Sequence, residues 1–328
     1  MKTLAPLVAA ALLVAVPAFA QDEPDEEKAT QLREENRLLK KARRLAEDGD
    51  KDEAWKLFLQ LQSLAHAHEN PKMEVTALEE ARAVAPSEQD EARICGAIGH
   101  IHMTQNEHVK SVKAFRRACK LSPDDASKWN SLGYSLHLAG NEQESVDAFE
   151  QCIELDRNNK EARYSLGVSA RLLGKPDKAL KVHEWLVEHK NELTASWYFA
   201  FESETKKKKA KGLDMSSHES RKAIVELEVA IDRVFLEEFD EAEKIVAKLK
   251  DKIAESDLEP ALDVAIDETA RALEMRPSHL QLHWLLGVLY EAHGEPETAK
   301  AHFEKFVELE KKVHPLARKA KEKLAAGK

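Results

Sequence analysis

The sequence predicts an all-α protein, an α-solenoid of helical hairpins with irregular hairpins at the N-terminus and in the middle. Three observations carry that prediction. Gly99, Gly133 and Gly167 stand 34 residues apart, and their surroundings repeat in step. Ile98, Leu132 and Leu166 precede them, Ser111, Ser145 and Ala179 follow twelve residues on, and Phe115, Phe149 and His183 come four later. A fixed period of this length belongs to units that cannot bury their apolar faces alone and must stack. Glycine and proline are sparse, at 11 each in 328 residues, while apolar residues recur at helical spacing.

Along the chain, residues 1–20 read as a secretory signal peptide. Lys2 gives a basic start, Leu4 to Val16 is apolar, and Ala18-Phe19-Ala20 supplies small residues for cleavage after Ala20. The apolar run falls short of the ~20 residues that span a bilayer, and no later stretch reaches that length. A periplasmic or secreted location is therefore expected. Residues 21–27 form an acidic leader expected to be disordered. Residues 28–86 carry degenerate hairpins that cap the stack. Ala42, Leu45, Gly49, Ala54, Phe58 and Leu61 outline one at 28–68, and Pro71 to Val84 supplies a lone second helix.

The array at 88–202 holds the clear units 92–125, 126–159 and 160–193. In the second, Trp129, Leu132, Gly133 and Leu136 share one helix face, Gly140-Asn141 turns the chain, and Ser145, Phe149, Cys152 and Leu155 share the next face. Gly133 is small because the second helix crosses close to it. The lysine-rich stretch 203–217 is expected as a linker, with a solvated loop preferred over a lipid- or acid-binding patch. The C-terminal half, 218–328, holds a degenerate hairpin at 218–256, a helix from about Pro260 to Met275, and a clear unit at 280–313. Gly167 to Gly287 is three periods plus 18 residues, so the register breaks between the two halves.

These residues resemble the tetratricopeptide repeat family, with its Trp, Leu-Gly, Tyr, Ala, Phe, Ala and Pro pattern. The resemblance rests on Trp129, Gly99, Gly133, Gly167, Phe115, Phe149 and Pro123, and on Trp284, Leu286, Gly287, Tyr290, Ala299, Phe303 and Phe306 in the last unit. Arg157 stands in place of the family's proline and His183 in place of its aromatic. The resemblance implies a right-handed superhelix whose first helices line a groove for a peptide or partner helix.

No catalytic signature is found: there is no Gly-x-Ser-x-Gly, phosphate loop or dinucleotide glycine triplet, so no enzyme and no cofactor is expected. His183 and His189 are six apart and face different sides of their helix. His66/His68 and His100/His102 are two apart and diverge by about 200°, so neither pair chelates alone. A composite histidine-dependent metal site is the alternative reading. A net charge of −10, or −11 once Lys2 is cleaved away, argues against general nucleic-acid binding. A small-molecule substrate is not expected either. Three cysteines cannot close a disulfide framework; Cys152 reads as a core residue, and Cys95 and Cys119 share one hairpin where pairing is open.

Projecting the family's groove positions selects Arg93, His100, Asn130, Tyr134, His137, Tyr164 and Arg171 as the candidate binding stripe. Asn130 would bond an extended backbone, the tyrosines offer flat area with a polar tip, and Arg171 would fork onto a carboxylate. The carboxylate clamp of chaperone-binding members is absent, because its positions hold Gly96, His100, Ser131, Glu161 and Ser165. The expected function is a non-catalytic scaffold outside the cytoplasm that binds a protein or peptide partner, within an envelope complex.

Overall fold

The structure is a computed structural model that describes residues 26–193, 218–253, 259–275, 277, 279–310 and 315–326. The expected signal peptide, the start of the acidic leader and the lysine-rich linker lie outside these residues. The described residues are helical apart from their turns, with no strand among them. They fall into two compact units, Met1–Val84 and Ala85–Lys328.

The first unit contains α1 (Glu26–Glu47), α2 (Lys51–Ala67) and α3 (Pro71–Ala83). Its core is made of small and large residues at helical spacing: Ala42, Ala54, Phe58, Leu61, Ala77 and Ala81. One buried carboxylate ties the three helices together. Glu35 of α1 accepts from Asn70 Nδ2 at 2.7 Å and lies 3.0 Å from His68 Nδ1. Asn70 also caps α3 by accepting from the Met73 amide. Pro71 at the first position of α3 has no amide hydrogen to leave unpaired there.

The second unit begins with three hairpins: α4 (Glu88–Thr104) and α5 (His108–Leu121), α6 (Ala126–Leu138) and α7 (Glu142–Leu155), α8 (Lys160–Leu172) and α9 (Pro176–Glu188). Side chains of Ser87, Asp125 and Asn159 cap the first helix of each pair. Each helix packs on the next in sequence, which is the stacking the 34-residue period demanded.

Beyond 193 follow α10 (His218–Phe235), α11 (Phe239–Ile253), α12 (Glu259–Met275), α13 (Gln281–His293), α14 (Pro296–Leu309) and α15 (Pro315–Ala326). α10 packs on α9 and touches α8, the place a fourth first helix would take. α12 breaks the alternation, because it packs chiefly on α10 and α13. Helices on both sides of 203–217 share one apolar core: Tyr164, Leu186, Leu227, Ile231, Leu262 and Leu286 belong to the same buried cluster. The shift in register there is not a division between separate cores.

Candidate partner-binding surface

The repeat glycines lie directly under a ring from the second helix. A Cβ built on Gly133 would stand 2.7 Å from Phe149, and Gly99 and Gly287 meet Phe115 and Phe303 in the same way. At Gly167 the ring is His183, with Nε2 only 2.1 Å from such a Cβ. The small residue twelve positions after each glycine has a second purpose that periodicity alone did not reveal. Ser111 Oγ donates to the Gly99 carbonyl at 2.9 Å and lies 2.8 Å from Ser135 Oγ. Ser145 repeats the pattern with the Gly133 carbonyl at 2.8 Å and Ser169 Oγ at 3.2 Å. All four hydroxyls are buried, so these bonds spare the hairpins an unpaired polar group.

Exposure along the projected stripe falls steadily from the first repeat to the third. Arg93 and His100 on α4 are exposed, and Ser127 and Asn130 on α6 are exposed or half-buried. Tyr134 and His137, further along α6, are 7% and 6% exposed, and Tyr164 and Arg171 on α8 are 0% and 1%. The stripe is therefore not continuous, and its two most distinctive members face inward. Tyr164 and Arg171 are corrected from partner-binding to core residues, and Tyr134 and His137 are largely covered.

What closes the third repeat is α10. Arg171 Nη2 donates to Glu228 Oε2 at 2.7 Å and Nη1 to Asp232 Oδ1 at 2.8 Å. The Tyr164 hydroxyl donates to Glu228 Oε1 at 2.9 Å. His183 Nδ1 lies 2.6 Å from Asp232 Oδ2, and its Nε2 lies 3.3 Å from the Tyr164 carbonyl oxygen. None of these five side chains is more than 1% exposed. Burial works against the Arg171 charge, but Glu228 and Asp232, with Glu268 of α12 behind them, hold its guanidinium above its ordinary pKa. His183 replaces the family's phenylalanine here because Asp232 offers an acceptor that a benzene ring would leave unpaired.

Five further histidines have local partners. His66 lies 3.4 Å from Glu74, while His68 goes to Glu35, so the adjacent pair diverges. His102 lies 2.6 Å from Glu107, and His100 sits edge-on to Phe115 with ring centres 4.9 Å apart. His137 lies 3.0 Å from Glu142. No group of three metal-ligating side chains occurs among the described residues. The three cysteines are buried and form no disulfide, and burial pushes the Cys119 and Cys152 thiols up to about 12. Such thiols are neither nucleophiles nor ready ligands at neutral pH.

A cavity of about 570 Å³ opens between α5, α6 and α7. Trp129, Leu132 and Ala148 line it, together with the charged side chains of Arg116, Lys120, Glu144 and Asp147. Trp129 is half-buried there and donates its indole N–H to the Pro123 carbonyl at 2.7 Å. Trp284 is not its counterpart. It stands three residues before its glycine instead of four, is fully buried, and its Nε1 has no hydrogen-bond partner. The residue at the Trp129 position of the last repeat is His283.

Models of the tetratricopeptide repeat match residues 92–125 and 128–159, and a further one matches 262–325. These stretches of the chain are tetratricopeptide repeats. The third hairpin of this repeat protein, 160–193, lies outside those matches, in keeping with Arg157, Arg163 and His183 at positions the pattern gives to proline, tryptophan and phenylalanine. Among solved structures it is similar to a tetratricopeptide repeat protein from Parabacteroides merdae, at 14% identity over 83% of this chain and 97% of that one, with a TM-score of 0.48. It is similar also to YrrB, described as a TPR protein with an unusual peptide-binding site, at 18% identity over 76% and 99%, TM-score 0.38. A third is MamA from Desulfovibrio magneticus, at 16% over 68% and 97%, TM-score 0.36. No curated protein matches the chain significantly. No described helix of this repeat protein is long and apolar enough to cross a membrane.

Proposed function

We propose that this repeat protein is an exported, non-catalytic scaffold that holds a protein or peptide partner on the open part of its groove. The observation that carries the reading is the gradient of closure. Arg93 and His100 stay exposed on α4, and Ser127 and Asn130 stay accessible on α6, while α10 seals the same positions of α8. Asn130 is half-buried beside them, and its side-chain amide is the type of group that bonds an extended backbone supplied by a partner. Arg93 offers a guanidinium for a carboxylate on the same segment. The N-terminal pattern at residues 1–20 supports export, so the partner belongs to the periplasm or cell exterior, in an envelope complex.

A photo-crosslinking residue placed at His100 or at Val109, which is 79% exposed on α5, tests the groove in cells. A partner captured from position 100 and lost with N130A supports it; equal capture from both positions counts against it. N-terminal sequencing of protein from the periplasmic fraction tests export, with Gln21 expected as the first residue.

A further inference from the structure

One pair of repeat positions holds different chemistry in the last hairpin. Four residues before each repeat glycine stand Cys95, Trp129, Arg163 and His283; fifteen after it stand Ala114, Ala148, Val182 and His302. In the second repeat the two positions place Trp129 and Ala148 in the lining of one cavity. In the last repeat they place two imidazoles side by side between α13 and α14, their planes tilted by 37°, with Nδ1 of His283 3.1 Å from Nδ1 of His302. From this juxtaposition we infer that His283 and His302 form a two-histidine site for a divalent ion of the nickel, copper and zinc class.

The geometry suits such an ion. Two nitrogens each ~2.0–2.1 Å from one ion, at the angles of square or tetrahedral coordination, stand about 2.9–3.4 Å apart. Imidazole is the ligand type those ions prefer. Partial burial holds both groups below the usual histidine pKa, with Lys305 adding to the effect at His283 and His283 adding to it at His302. In its neutral form each imidazole keeps one ring nitrogen with a free lone pair. Without metal, one Nδ1–H donates to the other Nδ1; with metal, that proton moves to Nε2 through solvent and both lone pairs face the ion. Tyr290 stacks on His302 with ring centres 5.4 Å apart and planes at 15°, which fixes the orientation of that imidazole. Lys305 is drawn toward Glu308 at 3.0 Å. Both histidines are half-buried, so an ion reaches them from solvent and completes its shell with water or a partner's side chain. The bound ion would clamp the two helices of the last repeat together.

The test titrates Ni²⁺ into the untagged, chelator-treated full chain by calorimetry, beside H283Q, H302Q and the control H66Q/H68Q. One binding equivalent is expected in the wild type and the control, and each single variant should lose that equivalent or weaken it about 10–100-fold. Unchanged stoichiometry and affinity in both single variants overturns the site. A second measurement needs no variant: substoichiometric Cu²⁺ added to the wild type should broaden the Tyr290 ring resonances before those of any other tyrosine. Broadening that begins elsewhere also overturns it.

Discussion

The hairpins α6–α7 and α8–α9 follow one sequence register and differ in what their inner faces meet. In α6–α7 a glycine packs under Phe149, the Ser145 hydroxyl ties α7 to the Gly133 carbonyl of α6, and the first helix keeps Ser127 and Asn130 near solvent. In α8–α9 the glycine packs under His183, Ala179 replaces the bonding serine, and the first helix carries a buried arginine. The difference is imposed from outside the repeat. Glu228 and Asp232 of α10 bring two carboxylates into the third hairpin, and Arg171, Tyr164 and His183 answer them. A repeat register fixes where helices cross, and the neighbour stacked on it decides whether a face is dry, wet or charged.

Breaking the charged side of this comparison gives the largest expected effect. R171A leaves Glu228 and Asp232 buried without their main partner, and should cost about 3–5 kcal/mol in urea unfolding. The equivalent change at His137, H137A, should cost far less, because Glu142 still reaches some solvent at 11% exposure. A smaller contrast comes from the glycines. G133A and G167A both overpack, at about 1–3 kcal/mol, with G167A at the upper end because Asp232 pins the His183 ring that would have to move. H183F restores the family residue yet strips Asp232 of a partner, so it should destabilise by about 1–3 kcal/mol, contrary to what a consensus argument expects.

The serine link sharpens the comparison on a finer scale. S145A removes two buried hydrogen bonds and should cost about 1 kcal/mol per bond at most. The third repeat already has Ala179 in that position, so A179S should bring no comparable gain. The smallest effect concerns the caps. Burial pushes the Asp125 carboxyl up, but Lys128 and Ser127 pull it further down, below the usual 3.8. Its folded pKa is depressed, so its contribution is present above pH 3.8 and is lost as pH falls through the lower, folded value. Asn159, which caps α8, does not titrate. Carboxyl NMR should show the shift at Asp125, and D125N should remove the acid-dependent part of the α6 cap.

The framework of the array could be read from residues alone. Gly99, Gly133, Gly167 and Gly287 and the rings four positions after their small residues mark the crossings, and the structure puts ring against glycine at each one. The candidate stripe was legible only in part. Arg93, His100 and Asn130 stay accessible, whereas Tyr164 and Arg171 do not, because their partners lie 57–64 residues away in sequence. A signal did exist. On α10, Glu228 and Asp232 fall in step with Ile224, Leu227 and Ile231, so two acids sit on an apolar face and call for a buried cation. The His283–His302 pair escaped for a related reason. Searching for spacings of three or four along one helix cannot find two histidines that meet across a hairpin, 19 residues apart.

The order of residues was enough to specify the helices, the crossing points and the repeat type. These depend on local spacing and on a steric requirement that recurs every 34 residues. Packing between helices far apart in the chain set which first helices stay exposed, which arginine is a core residue and which histidines meet. Those outcomes depend on what is stacked against each face, and a residue's own neighbours in sequence carry no record of it.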